Sequence, residues 1–206
     1  MRKITLLLLF SCGLAAGACG RLPLEDQIHR EWRGVLELKS RIAEAPAGGE
    51  AEARQRHADA LTGFIQRHPS HARARDAYGE LELEFARMLA ARGRYDEAVR
   101  YYRSALDSDP ANETIHAELE QAERRRFVTA DALSLLRPGM TREQVVERLG
   151  RPLPGWSRRL DRNSKTTESW FYRRRDGGVA GVYFRDGALF AADFDGPVRL
   201  DLQRGP

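Results

Sequence analysis

The stretch Leu136-Arg-Pro-Gly-Met-Thr-Arg-Glu-Gln-Val-Val-Glu-Arg-Leu-Gly-Arg-Pro152 decides the fold of the C-terminal third of the chain. Its Pro-Gly-Met run predicts a turn, and Thr141 after it predicts a helix N-cap. Gln144 lies three residues further on and completes a capping box. Gly150 and Pro152 end the helix, because glycine suits the C-cap and proline cannot continue the helix. We therefore predict a helix over residues 142–149, preceded by a short helix over 130–136.

Extended segments follow this helix, at residues 169–174, 179–185 and 188–195. Asp186-Gly187 separates the last two and is a strong hairpin signal. The pattern predicts that residues 129–206 form a small α+β sandwich of two helices and a three-stranded antiparallel sheet. Much of its core is expected to come from Val145, Leu149, Trp170, Tyr172, Phe184 and Leu189.

The chain before Arg126 has a different character and predicts helices with short breaks. Apolar residues recur at a spacing close to 3.6 residues. The five expected helices cover 25–44, 50–68, 72–92, 95–107 and 112–127. Antiparallel helices with short links are typical of a bundle or an α-solenoid. We therefore divide the chain into a helical domain, residues 25–128, and the sandwich, residues 129–206.

One helical stretch, Ala86 to Pro110, resembles the tetratricopeptide repeat. Ala98 and Ala105 would let two helices approach closely, Tyr102 would fill the groove between them, and Pro110 would follow the second helix. Repeats of this kind bind extended peptides in a concave face, and the resemblance implies that this face presents Leu83, Arg87, Ala90 and Ala91. The alternative is that the repeat serves only packing.

The C-terminal motifs resemble the SmpA/OmlA (BamE-like) lipoprotein domain. They run in order from Gly139-Met-Thr141 and Gln144-Val through Leu149-Gly-Arg-Pro152 to Trp170-Phe-Tyr172 and Phe184-Arg-Asp-Gly187. The resemblance covers about 65 residues and implies the fold more firmly than the function. In that family the domain is an accessory subunit of the machine that inserts β-barrels into the outer membrane. A helical repeat in the same chain departs from the usual family pattern.

Residues 1–18 predict a lipoprotein signal peptide. Arg2 and Lys3 precede an apolar run over residues 4–16, which is shorter than the roughly 20 residues of a membrane span. Small residues then lead to Cys19, the expected site of lipidation, with residues 19–24 as a tether. The alternatives are an ordinary secreted protein cleaved near Ala18, and an uncleaved anchor. Cys12 is a less suitable lipidation site, because bulky Phe10 precedes it.

The chain has two cysteines, Cys12 and Cys19. Cys12 would be removed with the signal peptide and Cys19 would carry the lipid, so the mature chain would have no free thiol. No disulfide, zinc–thiolate site or cysteine nucleophile is then expected. Gly20 stands where an aspartate favours inner-membrane retention in related lipoproteins. We therefore expect an outer-membrane lipoprotein that faces the periplasm of a Gram-negative envelope.

Composition argues for a water-exposed mature protein without a nucleic-acid partner. Charged residues make up 31% of the chain and the mean hydropathy is −0.56. The formal net charge of +4 falls to about +2 when residues 1–18 are removed. Residues 129–206 hold 14 basic and 10 acidic residues, so the basic surplus lies in the C-terminal part.

A basic loop is predicted before the first strand, and we assign it to contact with lipid phosphates or an acidic partner. Its residues are Arg158, Arg159, Arg162 and Lys165. The alternative is that these side chains form ordinary solvated surface.

Catalytic and metal-binding patterns are weak throughout the sequence. Of the five histidines, only His68 and His71 lie near each other, and they straddle Pro69. No serine lies in a nucleophile elbow, and the Gly177-Gly178 pair lacks a phosphate-loop context. We therefore expect a non-enzymatic envelope lipoprotein without cofactor or metal, which binds a protein partner as an interaction or scaffold component. The alternatives are a peptide adaptor for secretion or cell-wall machinery, and an envelope hydrolase with an unrecognised active site.

Overall fold

The computed structural model describes residues 24–162 and 165–195. Its N-terminal part contains α1 (Leu24–Ala43), α2 (Glu50–Arg67), α3 (Ala72–Ala91), α4 (Tyr95–Ser108) and α5 (Glu113–Arg125). The five helices predicted from the sequence are confirmed, and their ends lie within two residues of the prediction. Local capping explains several of these ends. The Asn112 side chain, for example, accepts a hydrogen bond from the Ile115 N–H and so begins α5.

The helices form two successive apolar clusters. In the first, Trp32 and Val35 of α1 pack with Leu61 and Phe64 of α2 and with neighbours on α3. The Trp32 and Phe64 rings lie 5.3 Å apart. This cluster joins the α1–α2 hairpin to the next helix pair.

The second cluster shows the close helix approach that the repeat pattern predicts. Ala86 of α3 and Ala98 of α4 are fully buried, and Ala105 and Tyr102 are almost fully buried beside them. A larger side chain at the alanine positions would separate α3 from α4. The repeat-like packing of α3 against α4 is therefore confirmed, and α5 closes the cluster through Ile115.

The C-terminal part begins with α6 (Ala130–Ser134) and α7 (Arg142–Leu149). The predicted capping box is present. The Gln144 N–H donates to the Thr141 hydroxyl, and the Thr141 N–H donates to the Gln144 side chain. Gly150 ends α7 with a φ of 80°, a backbone conformation that favours glycine.

Four antiparallel strands complete the fold. They are β1 (Ser157–Arg162), β2 (Lys165–Arg173), β3 (Val179–Arg185) and β4 (Ala188–Asp193), and their order in the sheet follows the chain. The predicted hairpin is confirmed, because Asp186 and Gly187 both have positive φ between β3 and β4. The predicted α+β class, with a helical repeat-like part before the sheet, is confirmed as well.

One face of the sheet carries the apolar core and packs on α6 and α7. All six core residues predicted from the sequence are buried in it, with Val145 and Phe184 fully inaccessible. Val128 belongs to the same core, and its N–H donates to the Arg173 carbonyl at 2.9 Å. The core of the sandwich therefore begins one residue before the predicted domain boundary at 129.

The prediction of three strands is wrong, because the described residues form a sheet of four. Residues 157–162, predicted as a basic loop, form β1, and β2 begins at Lys165 rather than at Ser169. Every residue of β1 is exposed, so this edge strand lacks the alternation of apolar and polar residues that marks a half-buried strand. Strand pairing with β2 alone defines it.

Candidate interaction surfaces

The predicted basic residues lie on or beside an edge strand of the sheet. The strand register places Arg158 opposite Ser169 and Arg162 opposite Lys165. These residues point away from the face that Trp170 and Val182 share with the helices, because neighbouring strand residues alternate between faces. We call this surface the outer face. Within the described part of the chain, it meets α4 only at the end of β2, where Arg173 binds Asp96. Arg158, Arg162 and Lys165 are brought together on the outer face, and all three are exposed.

Arg159 does not join this group. It pairs in register with Glu168 on the opposite face, and its Nε lies 3.2 Å from an oxygen of Asp161. The predicted contact residues are therefore divided between the two faces, with Arg159 apart from the other three. A strand, unlike a loop, places consecutive side chains on opposite faces.

The outer face also carries exposed apolar groups. Leu160 and Phe190 are 44% and 40% exposed. Arg185 adds a cation here, and its guanidinium carbon lies 4.6 Å from the centre of the Phe190 ring. The Tyr183 ring lies alongside, with its centre 6.3 Å from the centre of the Phe190 ring. Asp193 is the acidic residue at the far edge. The outer face is therefore basic with apolar contacts between the charges.

The predicted concave-face residues of the helical part are not a single open surface. Leu83 and Ala90 are half-buried and pack against the second helical cluster. Arg87 is bound to Glu118 of α5, with its Nε and Nη2 donating at 2.9 and 2.7 Å. Ala91 is exposed at the end of α3. A peptide that used Arg87 here would have to compete with the Glu118 carboxylate.

A cleft lies elsewhere, between the α1–α2 hairpin and α3. Two adjoining cavities of about 520 and 350 Å³ share its walls. Arg54 lines both, and its nearest carboxylates are those of Glu50 and Glu84 at 3.7 and 3.6 Å. Apolar side chains of α3 form the floor, namely Ala77, Leu81, Phe85 and Met88.

His57 lines the smaller of these cavities and is 97% buried. Its Nδ1 has no hydrogen-bond partner among the described residues. Burial lowers the pKa of His57, and the charge of Lys39 lowers it further. The imidazole is therefore held in its neutral form at neutral pH. The cleft is amphipathic, with acidic and basic residues in equal measure around Arg54.

The helical part and the sandwich meet at a junction of polar contacts. Tyr95 begins α4, and its hydroxyl accepts a hydrogen bond from the Arg151 N–H at 2.8 Å. The Gly150 α-carbon faces this phenol so closely that an added methyl group would collide with it. Tyr172 of β2 donates to the Gly150 carbonyl at 3.0 Å. Burial is the main cause that raises the pKa of Tyr95.

Asp96, the next residue of α4, is bound by two arginines, Arg126 just after α5 and Arg173 in the sheet. Arg126 donates from Nε at 2.5 Å, and Arg173 of β2 makes a second charge-assisted hydrogen bond. Burial alone would raise the pKa of Asp96, but the hydrogen bonds from the two arginines outweigh it and lower the pKa below its usual value. The Phe127 ring lies next to Arg173, 4.7 Å from its guanidinium carbon.

Other predictions concern features beyond these surfaces. Among the described residues, no group of three or more histidine, cysteine or acidic side chains has an arrangement for a metal ion. Across residues 24–162 and 165–195, no helix is long and apolar enough to cross a membrane. Cys19 and the predicted signal peptide lie outside the described residues.

Comparison with known families supports both halves of the architecture. Residues 126–177 match the family model of the outer membrane protein assembly factor BamE domain. Residues 80–124 match that of the tetratricopeptide repeat. The chain thus joins a repeat-like segment to a BamE-type domain, as the sequence resemblances predicted. Neither a curated protein nor a solved structure gives a significant match.

The junction escaped the sequence analysis. Its bonds join residues 56 and 77 positions apart in the chain, so no local pattern reports them. The available signals were a run of arginines at 124–126 before Phe127, and the glycines Gly93 and Gly150 at the ends of two helices. In the structure both glycines have positive φ and face the opposite half of the molecule.

Proposed function

We propose that this chain is a membrane-tethered, non-catalytic interaction protein that works in outer-membrane protein assembly in a Gram-negative envelope. The observation that carries the proposal is the match of residues 126–177 to the BamE domain, together with an exposed basic face on the sheet of that part. Cys19 would supply the lipid anchor. The helical part would hold a second protein partner.

The outer face supports binding rather than catalysis. Arg158, Arg162, Lys165 and Arg185 are exposed cations around Leu160 and Phe190, an arrangement that suits an acidic partner surface with an apolar centre. An anionic lipid headgroup would use the same cations. The polar residues here are spread over a flat sheet, whereas an active site converges its polar groups in a cleft.

A depletion experiment in the native host tests the proposed role. We expect loss of the full chain to lower the amount of folded β-barrel protein in the outer membrane, and the wild-type gene to restore it. A Cys19→Ala variant should fail to restore it and should leave the membrane fraction. Cys12→Ala, which changes the other cysteine, should behave as wild type.

Affinity purification of the full chain from detergent-solubilised membranes tests the surface. We expect barrel-assembly subunits to co-purify with wild type and to be lost with Arg158→Glu/Arg162→Glu. Arg159→Ser, on the other face of the same strand, should retain them. Unchanged β-barrel levels after depletion, with no assembly subunit recovered, would contradict the proposed role.

A second candidate, a peptide adaptor, is favoured by the cleft between the α1–α2 hairpin and α3. Its apolar floor, with the charged residues Glu50, Arg54 and Glu84 beside it, suits a peptide that carries an apolar side chain next to a polar or charged group. Met88→Glu would place a charge on that floor. Recovery of peptides or partners that is lost with Met88→Glu but kept with Arg158→Glu/Arg162→Glu would favour the adaptor.

A further inference from the structure

The two edges of the sheet differ in their backbone hydrogen bonding. The edge of β4 is covered by residues 139–141, because the Gly139 N–H donates to the Leu189 carbonyl and the Leu189 N–H donates to the Met140 carbonyl, both at 2.8 Å. Thr141 adds a bridge to Ala188. Within the described residues, no backbone hydrogen bond reaches the free side of β1. One edge is therefore open to pairing.

The register identifies the backbone groups that point to this open edge. The Phe171 N–H donates to the Trp156 carbonyl at 2.8 Å, which marks this pair as hydrogen-bonded. Hydrogen-bonded and non-hydrogen-bonded pairs alternate along antiparallel strands. Arg158, Leu160 and Arg162 therefore exchange hydrogen bonds with β2. The N–H and C=O groups of Ser157, Arg159 and Asp161 are directed away from the sheet.

An added antiparallel strand would pair closely with three outer-face side chains. Arg158, Leu160 and Arg162 would form its non-hydrogen-bonded pairs, in which the opposing α-carbons are only about 4.5 Å apart. A partner strand therefore meets a cation, an apolar group and a cation at alternate positions. Opposite charges and apolar pairs at such positions are favourable, and like charges are unfavourable.

We propose that the free edge of β1 binds an extended acidic segment of a partner protein as a fifth strand of the sheet. The segment has the pattern acidic–x–apolar–x–acidic, with its acidic side chains opposite Arg158 and Arg162 and its apolar side chain opposite Leu160. The main-chain hydrogen bonds supply affinity and the alternate side chains supply selection. This inference deepens the proposed interaction role and rests on it.

Charge argues against a second copy of the chain as the occupant. Self-pairing centred on Leu160 would set Arg158 opposite Arg162 of the other copy twice, on the exposed outer face. The pairs of Arg159 with Asp161 on the other face would be attractive, but those two residues already bind each other within one chain at 3.2 Å. An acidic strand removes the repulsion and leaves that internal pair in place.

Titration with a labelled peptide tests the proposal on the full chain in detergent micelles. The probe is the labelled peptide Thr-Glu-Thr-Val-Thr-Glu-Thr, and fluorescence anisotropy measures its binding. We expect saturable binding that weakens at least about fivefold when both acidic residues are replaced by lysine. Methylation of the peptide's backbone nitrogens along the edge that would face β1 should abolish binding, because it removes the N–H donors that would pair with the β1 carbonyls.

Protein variants separate strand addition from simple charge attraction. Arg158→Glu/Arg162→Glu should lose binding of the probe. Arg159→Pro removes an N–H that points to the open edge and should also lose it, whereas Arg159→Ser should bind as wild type. Circular dichroism and the melting temperature establish that each variant is folded. If a variant does not fold, the decisive comparison is between the methylated and the unmethylated peptide, both bound to the wild-type chain.

The alternatives give different results in the same experiment. Equal binding of the methylated peptide would overturn strand addition. Concentration-dependent dimerisation that Arg159→Pro abolishes would identify a second copy as the occupant. Binding to vesicles of anionic phospholipid without binding of the peptide would identify a lipid surface. Unchanged β-barrel levels after depletion of the chain, together with intact peptide binding, would refute the proposed role in assembly and leave the edge site standing.

Discussion

The phenol of Tyr95, at the start of α4, accepts a hydrogen bond from the backbone N–H of Arg151, directly after the end of α7. This bond ties the first residue of a repeat-like helix to the motif that ends the helix of the BamE-type domain. Gly150 lies against the same phenol. Asp96 adds ion pairs to Arg126 and Arg173 one residue further along α4. The two parts are therefore joined by partly buried polar contacts as well as by the chain.

Tyr95→Phe should destabilise the protein by about 1–3 kcal/mol, because the Arg151 N–H loses its partner in a largely buried place. Chemical denaturation followed by tryptophan fluorescence measures the change. Tyr101→Phe, at an exposed position of the same helix, should change the midpoint little. Equal effects of the two substitutions would show that the Tyr95 bond contributes nothing at the junction.

Gly150→Ala should be more destabilising than Gly139→Ala by at least about 1 kcal/mol. Both glycines have positive φ, 80° and 88°, so alanine is strained at both positions, and the ψ of 179° at Gly150 adds to the strain there. An added methyl group would collide with Tyr95 at Gly150 but would meet open space at Gly139. The difference in the free energies of unfolding therefore combines the collision with Tyr95 and the extra backbone strain at Gly150. Equal values would show that neither of them adds to the cost of replacing glycine.

Asp96→Asn should remove an acid-sensitive contribution to stability. Because the folded-state pKa of Asp96 is lowered, its contribution is fully present above the unfolded pKa of about 3.9 and is lost as the pH falls through the folded pKa. The side chain is 39% exposed, so we expect a loss of only about 1 kcal/mol at neutral pH.

Melting temperatures from pH 7 to pH 2 measure this dependence. The curves of wild type and Asp96→Asn should converge at the acid end. Asp107→Asn is a matched control on the same helix, because Asp107 is exposed and has no ion pair within the described residues. A constant offset across the whole range would mean that the ionisation of Asp96 is not the cause.

Local signals were enough to predict most of the fold. The helix over residues 142–149 follows from Thr141, Gln144 and Gly150, which lie within ten positions of one another and act through neighbouring backbone groups. The Asp186-Gly187 turn is equally local. The predicted core residues followed from alternation along strands and from the helical period. Each of these features depends on contacts between residues close in the sequence.

The candidate surfaces were harder to predict because they depend on pairing. A run such as Ser157-Arg-Arg-Leu-Asp-Arg162 carries no apolar face, and only the neighbouring β2 makes it a strand. Once it is a strand, Arg158 and Arg159 point to opposite faces. The Arg87–Glu118 pair similarly joins α3 to α5, which sequence periodicity does not place beside each other.

The start of the BamE-type domain can be located by comparing two fragments. Val128 is 92% buried in the sandwich core, and its N–H donates to the Arg173 carbonyl at 2.9 Å. A fragment of residues 130–206 lacks both contributions, which are worth roughly 1.5–3 kcal/mol for burial of a valine side chain and about 1 kcal/mol for the hydrogen bond. That loss is a large fraction of the stability of a small domain, roughly 5–15 kcal/mol.

We therefore expect a fragment of residues 126–206 to unfold cooperatively, and the shorter fragment to unfold at a clearly lower denaturant concentration. Val128→Ala in the longer fragment should reproduce part of that difference, because it removes side-chain burial and keeps the backbone bond. Equal midpoints for the two fragments would show that the domain begins at Ala130 and that Val128 is dispensable.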